Sequence, residues 1–167
     1  RWVVEPFHLL DCCLDTDQGC AVIVTTAERA KALKQHPVHI LGGAVGTGPM
    51  AGNGEMYPDL TELYGKYTAP RVFDMAGVTP RDIDAVEFYD CFTSIPLIQL
   101  EDYGFVEKGE GGPFVEGGHR IRIGGELPVN THGGNLSEGY RQGLGHVIEG
   151  VRQLRGGEGP RQVQNAE

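Results

Sequence analysis

The sequence has 167 residues, enough for one well-buried domain or for parts of two. It carries 14 Lys and Arg against 23 Asp and Glu, a formal charge of −9, without the clustered basic side chains of a nucleic-acid-binding protein. No apolar run approaches the roughly 20 residues that span a bilayer, and the N-terminal RWVVEPFHLL lacks the layout of a signal peptide. We therefore expect a soluble, cytoplasmic protein with no nucleic-acid partner and no membrane span.

The N-terminal segment predicts alternating strands and a helix. Residues 20–26, CAVIVTT, are typical of a buried strand. Thr26 can cap a helix over residues 27–33, which ends before His36 and Pro37. Residues 38–43, VHILGG, predict the next strand, and this order favours an α/β fold. Because Arg1 is not an initiator Met, we also expect an upstream portion of the protein.

The middle of the sequence begins with a glycine-rich stretch. Residues 42–58 contain six glycines and two prolines and predict a long loop or linker. A helix is predicted over residues 60–75 with a break near Pro70, followed by an N-capping Thr79 before Pro80. Residues 85–91, AVEFYDC, then predict a strand.

The C-terminal part predicts two further helices. Residues 94–103 are expected to be helical and to end at Gly104, whereas residues 108–125 suggest a surface loop. That loop leads into a hairpin over IRIGGELPV, of which residues 127–129 form the second strand. The last helix is expected from Tyr140 to Leu154, with an apolar face formed by Leu144, Val147, Ile148, Val151 and Leu154.

One candidate site is the turn NTHGGNLSEGY, residues 130–140. It places a glycine pair between a strand and a helix, which directs backbone N–H groups toward one point. Such a point suits a developing oxyanion or a phosphate. Glycine pairs before helices also occur as plain turns, so this pattern alone leaves both interpretations open.

A second candidate site is the end of the strand at residues 85–91. Tyr89, Asp90 and Cys91 follow its apolar stretch, and functional groups of α/β sheets gather at the carboxyl ends of strands. Asp90 could equally bond to a helix N-terminus. Cys91 could act as a nucleophile only with a base nearby. The other cysteines, Cys12, Cys13 and Cys20, match neither a disulfide framework nor a metal site, so we expect no metal.

Taken together, these segments resemble the thiolase superfamily, and within it the lipid-transfer-protein branch close to sterol carrier protein thiolases. The resemblance rests on motifs in fixed order from about Asp11 to Val163: DCCLDTDQGCAVIVTTAERA, EFYDCFT, KGEGGPFVEGG, LPVNTHGG and HVIEGVRQLRG. It implies a mixed five-stranded sheet covered by helices. Residues 1–48 would end the N-terminal half of the subunit, and residues 49–167 would form a C-terminal domain that is incomplete at its C-terminus. The two family cysteines would lie before Arg1 and after Glu167.

Two departures from the family pattern point to a different reaction. By resemblance, Tyr89 takes the place of the asparagine that holds an oxyanion-hole water, and Tyr140 takes the place of the histidine that helps activate the nucleophilic cysteine. A phenol is a poor base for making a thiolate at neutral pH, but it is a good hydrogen-bond donor and a possible proton shuttle. Retro-aldol cleavage of a β-hydroxyacyl-CoA needs no acyl-enzyme and suits two phenols.

The resemblance therefore implies an aldolase that shortens the side chain of a steroid CoA thioester to a ketosteroid and propionyl-CoA. Coenzyme A would enter as part of the substrate, with no cofactor bound covalently. A partner with an OB-fold and a zinc ribbon is implied, in a heterotetramer built on a homodimer. The alternatives are a 3-ketoacyl-CoA thiolase and a non-catalytic protein that binds acyl-CoA or lipid.

The expected site residues come from both segments. Tyr140, Tyr89 and His132 are the predicted catalytic residues, although a loop histidine is as often a partner of local backbone. Substrate binding is assigned to Asn130, Gly133, Gly134, Ser137, Asp90 and Cys91. His146, which lies beyond Tyr140 on the last predicted helix, is expected to support the site from behind.

Overall fold

The computed structural model describes residues 1–46 and 59–167. In this part of the chain, the regular strands are β1 (Trp2–Val4) and β2 (Phe7–His8), which form an antiparallel hairpin. The α-helices are α1 (Ala27–Lys31), α2 (Gly65–Ala76), α3 (Ser94–Asp102), α4 (Gly111–Val115), α5 (Gly134–Ser137) and α6 (Leu144–Leu154). Within the described ranges, no helix is both long and apolar enough to cross a membrane.

The N-terminal segment has little regular structure. The predicted strands at residues 20–26 and 38–43 do not form, because no described segment pairs with them, and large apolar side chains such as Ile23 are exposed. Helix α1 is confirmed, with the Thr26 hydroxyl accepting a hydrogen bond from Arg29 N at 3.4 Å, but it ends at Lys31. The glycine-rich loop predicted at residues 42–58, together with the domain boundary between residues 48 and 49, lies mostly outside the described residues.

Helix α2 is continuous through Pro70, so the predicted break is wrong. Proline removes one backbone hydrogen bond, but Thr68 and Ala69 are buried on the neighbouring side of the helix. Packing of α2 against α3 outweighs the missing bond. The helix ends at Ala76 and is followed by Gly77, whose φ of 71° is a left-handed conformation that favours glycine. The predicted turn at Pro80 is confirmed, with Thr79 N and Oγ1 donating to Asp82.

The core surrounds an extended segment at residues 85–91. Its predicted strand is reduced to one parallel bridge between Val86 and Val129, supported by Val86 N donating to Pro128 O at 2.9 Å. The predicted five-stranded sheet is therefore not seen in the described residues. The buried core consists of Val86, Phe88, Leu100, Phe114 and Leu127. It positions the end of the extended segment, where the candidate residues lie.

The region between α3 and the candidate turn departs from the prediction of a plain loop. Helix α3 is confirmed, but α4 forms within residues 108–125 because Phe114 is buried in the core. The predicted hairpin is held by two backbone bonds, Leu127 N to Arg120 O and Val129 N to Ile121 O, each 2.9 Å. These bonds do not extend into regular strands.

The last helix differs from the prediction in its start and in its buried face. The short helix α5 and a turn occupy the residues before it, so α6 begins at Leu144 and not at Tyr140. Its buried residues are Gly145, His146, Glu149 and Gln153. Of the predicted apolar face, Val147 and Leu154 are exposed. The helix therefore packs its polar side against the rest of the described chain.

Candidate active site

The two tyrosines predicted to act in catalysis are hydrogen-bonded to each other. The hydroxyl oxygens of Tyr89 and Tyr140 lie 2.9 Å apart, and either phenol can be the donor. Their rings meet edge to face, with centroids 6.4 Å apart and planes at 67°. Residues that are far apart in sequence thus place two phenols at a single point, where one can receive a proton while passing its own to the other.

Each tyrosine is fixed through its backbone. Tyr89 ends the extended segment, and its carbonyl accepts a hydrogen bond from Gln99 Nε2 on α3 at 2.7 Å. Tyr140 follows α5, and its N–H donates to the Thr16 hydroxyl at 3.4 Å. The N-terminal segment therefore contributes to the site even though it has little regular structure.

The environment of Tyr89 favours its neutral form. Burial first, and then the hydrogen bond with Tyr140, raise the pKa of Tyr89 well above its usual value. At neutral pH, Tyr89 keeps its proton and is a hydrogen-bond donor. A donor of this kind can stabilise an oxyanion that develops beside it.

Asp90 lies beside Tyr89 in sequence and is buried. Its Oδ1 accepts a hydrogen bond from Asn135 N at 2.7 Å at the start of α5, and its Oδ2 lies 3.4 Å from Leu136 N. His146 Nε2 is 3.0 Å from the same Oδ1. The carboxylate thus caps α5, which was the alternative raised by the sequence, and it also borders the groove described below.

The glycine pair adopts conformations that favour glycine. Gly133 has φ of 103° and Gly134 has φ of 63°. A Cβ on Gly134 would lie 2.1 Å from Asp90 Oδ2, so a side chain has no space there. The pair allows the turn to approach Asp90, and Gly133 also lines the groove.

His132 does not contact the tyrosine pair directly. Its buried ring has Nδ1 2.9 Å from Glu87 Oε2 and Nε2 3.5 Å from Glu138 Oε2. The edge of the ring meets His146, with centroids 5.1 Å apart. Both ring nitrogens therefore face carboxylates, and a catalytic role for His132 stays a prediction.

Asn130 joins the candidate turn to the extended segment. Its side-chain amide accepts a hydrogen bond from Phe88 N at 2.7 Å and donates one to Phe88 O at 3.0 Å. The amide thus bonds to the backbone of Phe88 as a neighbouring strand would. Next to it, Thr131 is buried and its N–H donates to Glu87 at 2.9 Å. Its hydroxyl lies 2.7 Å from a carboxylate oxygen of both Glu87 and Glu149 and donates to one of them at a time. These contacts fix the base of the turn.

Cys91 lies on the upstream side of the site. Its carbonyl accepts a hydrogen bond from Cys13 N at 3.0 Å. Burial raises the pKa of the Cys91 thiol and that of the Cys13 thiol, so both are poor nucleophiles at neutral pH. These thiols accordingly do not suit acyl-enzyme chemistry.

A groove of about 560 Å³ opens beside the turn. Four predicted substrate-binding residues line it, namely Asp90, Asn130, Gly133 and Ser137. The rest of its wall is mainly apolar and includes Phe7, Pro96, Leu97, Val115, Ile121, Val129 and Leu136. The groove can accept a bulky apolar group with polar contacts at one side.

Several residues of the site were missed by sequence reasoning. Asn135 and Glu149 were not singled out, and Glu87 was treated only as part of a strand. Glu149 could have been found from its position three residues after His146, which places both side chains on the same face of α6. The pattern of apolar residues on α6 pointed to the opposite face.

Residues 46–167 match the model described as the thiolase C-terminal domain-like family, a match that covers most of the chain. The chain belongs to this family. The thiolase C-terminal-like domain thus includes the extended segment, the candidate turn and the last helix, and the resemblance read from the motifs is confirmed.

Curated relatives name a specific chemistry. The chain is 46% identical over 159 residues to the 17-hydroxy-3-oxo-4-pregnene-20-carboxyl-CoA lyase of Mycobacterium tuberculosis, covering 93% of this chain and 41% of the relative. It is 41% identical over 160 residues to the steroid side-chain-cleaving aldolase of Thermomonospora curvata, covering 93% of this chain and 40% of that relative. The chain thus spans about two fifths of the length of these relatives.

A solved structure shares the fold. The chain superposes on the Ltp2-ChsH2(DUF35) aldolase with a TM-score of 0.93 at 38% sequence identity, covering 99% of this chain and 44% of that one. The agreement extends over nearly every residue of the chain, including the segments with little regular structure. The irregular backbone around the tyrosines is therefore part of a shared α/β thiolase-like architecture.

Proposed function

We propose that the protein cleaves the side chain of a steroid β-hydroxyacyl-CoA by a retro-aldol reaction, giving a ketosteroid and propionyl-CoA. The observation that carries this proposal is the 2.9 Å hydrogen bond between the Tyr89 and Tyr140 hydroxyls. These phenols stand where the resemblance to thiolases places an amide and an imidazole. Similarity to two relatives named as a lyase and an aldolase supports the same reaction.

The proposed reaction conserves its proton. Tyr140, the phenol assigned to proton transfer, takes up the β-hydroxyl proton as it passes its own phenolic proton on, so it is neutral before and after the step. The Cα–Cβ bond breaks, the β-carbon becomes a ketone, and the bonding electrons form an enolate of the thioester. The proton released by Tyr140 is delivered to Cα of this enolate. Tyr89, whose pKa is raised by burial, donates a hydrogen bond to the enolate oxygen.

The groove is proposed to hold the steroid. Its apolar wall suits a fused-ring skeleton, since burying apolar surface is favourable in water. Asn130, Ser137 and Gly133 would contact the polar end of the substrate near the thioester, and Asp90, Gly134 and Cys91 would shape that end. His132, held between two carboxylates, is proposed to support proton transfer from behind the turn.

The complete assembly is also part of the proposal. We infer that residues 1–48 and 49–167 belong to the two halves of a thiolase-like subunit, with a five-stranded sheet completed by segments elsewhere in that subunit. Exposed apolar side chains at Ile23 and Ile40 support such pairing. A homodimer would join an OB-fold and zinc-ribbon partner in a cytoplasmic heterotetramer, and coenzyme A would be bound only as part of the substrate.

The test is an assay of the complete subunit with its partner on a steroid β-hydroxyacyl-CoA. We expect the ketosteroid and propionyl-CoA to appear in equal amounts without added coenzyme A, measured by liquid chromatography and mass spectrometry. Cleavage of a 3-ketoacyl-CoA that requires free coenzyme A would identify a thiolase instead. Tight binding of the thioester without any product would indicate a non-catalytic protein. Either result would reject the proposal.

A further inference from the structure

Two buried side chains, Asp90 and Asn135, connect the segments that carry the two hydrogen-bonded tyrosine hydroxyls. Asp90 is the chain neighbour of Tyr89, and only 2% of its surface is exposed. Its Oδ1 accepts a hydrogen bond from Asn135 N at 2.7 Å, across from the extended segment. A single buried carboxylate therefore connects the segment that carries Tyr89 to helix α5.

Asn135 extends this connection to the second tyrosine. Its side-chain Oδ1 accepts a hydrogen bond from Arg141 N at 3.3 Å. Arg141 follows Tyr140 directly, so the amide holds the backbone on the C-terminal side of that phenol. From Tyr89 to Tyr140, the path runs through one carboxylate, one amide and two backbone N–H groups.

The path has little freedom to move. Asn135 is 3% exposed and Asp90 is 2% exposed. Gly134 brings the turn so close that a Cβ would lie 2.1 Å from Asp90 Oδ2, and His146 Nε2 lies 3.0 Å from Oδ1 on the α6 side. Because protein interiors are close-packed, a change at any of these points moves the others.

We propose that Asp90 and Asn135 are positioning residues that set the distance between the Tyr89 and Tyr140 hydroxyls. The proposal rests on the retro-aldol function for its kinetic consequence, but its structural part stands on the contacts alone. It gives Asp90 a role different from the substrate contact expected from the sequence. Asp90 acts through its hydrogen bonds, so the geometry of its acceptors matters more than its charge.

The experiment compares D90A, D90N and N135A in the complete subunit with its partner. Two readouts are used: kcat and KM for cleavage, and alkaline titration of the Tyr89 phenol. The Tyr89 signal is isolated as the difference in tyrosinate absorbance between each variant and its Tyr89→Phe derivative. Circular dichroism shows which variants fold, and N135A carries the test if D90A does not.

We expect D90A and N135A to lower kcat by about 10- to 100-fold, because small misplacement of reacting groups has effects of this size. KM should change less than kcat. Since part of the raised pKa of Tyr89 comes from its bond with Tyr140, the Tyr89 phenol should titrate at lower pH in both variants. Asparagine in D90N keeps an acceptor for Asn135 N and should recover most of the loss.

Asp82 provides a matched control. It also accepts hydrogen bonds at the start of a short helical turn, from Thr79 N at 2.8 Å and Thr79 Oγ1 at 2.7 Å, but outside the candidate site. Asp82→Ala should leave the Tyr89 titration and kcat unchanged. A positioning effect is then distinguished from the general loss of a cap.

The two readouts separate the two proposals. An unchanged Tyr89 titration in D90A and N135A would overturn the positioning role, whatever happens to cleavage. Equal loss of kcat in D90N and D90A would also overturn it, since the charge and not the acceptor geometry would then matter. A shifted titration with unchanged cleavage would uphold the positioning and contradict the proposed function of the tyrosines.

Discussion

The tyrosine pair and the buried network behind it differ in burial and in how many side chains surround a single polar atom. Tyr89 and Tyr140 are half-buried, and their hydroxyls bond to each other. In the network, Glu149 Oε1 alone receives hydrogen bonds from Thr131, Gln153 and Arg161, at 2.7, 3.0 and 2.8 Å. Glu149 is therefore held in place by three other side chains, whereas the two tyrosine hydroxyls depend on each other.

The pKa values of Glu149 and Tyr89 shift in ways that favour a charged carboxylate in the network and a neutral phenol in the pair. Burial favours the neutral form of Glu149, but the hydrogen bonds from Thr131, Gln153 and Arg161 outweigh it and lower the pKa of this carboxyl. For Tyr89, burial and its one partner both favour the neutral form. The network therefore holds a fixed negative charge, whereas Tyr89 is held as a neutral phenol. Substitutions in the two regions should accordingly affect different measurements.

The largest expected effect is on catalysis and comes from Tyr140→Phe. Removing the phenolic hydroxyl removes a group that transfers a proton, so kcat/KM should fall by roughly 10²- to 10⁴-fold. The free energy of unfolding should change by only about 1 kcal/mol, since one hydrogen bond is lost at a half-buried position. Cleavage kinetics and urea denaturation measure the two quantities.

Tyr67→Phe is the matched control for this substitution. Tyr67 lies on α2 and is 42% exposed. Its hydroxyl lies 3.4 Å from Glu62, which precedes the helix. The control should leave kcat/KM unchanged. A rate within a few-fold of the wild type in Tyr140→Phe would contradict the assignment of proton transfer to Tyr140.

The next effect is on stability and comes from Glu149→Ala. The substitution removes the acceptor of Thr131, Gln153 and Arg161, and should lower the free energy of unfolding by about 2 to 4 kcal/mol. Arg161 can turn partly to solvent, which limits the cost. Urea denaturation measures the change, and Glu126→Ala, at an exposed ion pair with Arg120, should have a much smaller effect. Equal effects would contradict the assignment of Glu149 to the framework.

The smallest expected effect is on the alkaline side of the stability profile. The folded pKa of Tyr89 is raised, so above about pH 10 the unfolded chain releases this proton while the folded chain retains it. The free energy of unfolding should therefore fall as pH rises above that value. The contribution of the neutral Tyr89 phenol to stability is fully present only below about pH 10. Urea denaturation as a function of pH measures the decline.

Tyr89→Phe should make this decline less steep. Tyr103 contributes in the same direction, because burial raises its pKa as well, so some slope should remain. Tyr67→Phe again serves as the control. An identical slope in the wild type and in Tyr89→Phe would show that the Tyr89 phenol is not protected in the folded protein.

The sequence predicted the proximity of the two tyrosines better than it predicted the regular strands, and the catalytic roles of the tyrosines stay a prediction. The ordered motifs placed Tyr89 and Tyr140 in one site, and the structure brings their hydroxyls together. Regular strands at residues 20–26 and 38–43 were predicted because buried strands and unpaired extended segments have the same apolar composition. A strand depends on a neighbour to pair with, and the local sequence does not contain this information.

The supporting residues were harder to predict for a different physical reason. Periodicity identifies a buried helix face from apolar residues, and on α6 it selected the side that includes the exposed Val147. The buried side carries His146 and Glu149, which are tolerated because each has a partner from another segment. Asn135 likewise became recognisable only through its contact with Arg141.

The close approach of Gly134 to Asp90 limits how the candidate turn can be redesigned. The two positions behave as one design unit, because the carboxylate occupies the volume that any side chain at 134 would need. An engineer who wishes to change the turn must shorten residue 90 at the same time, and then supply another acceptor for Asn135 N. Libraries that vary the two positions independently would consist mostly of variants that fail.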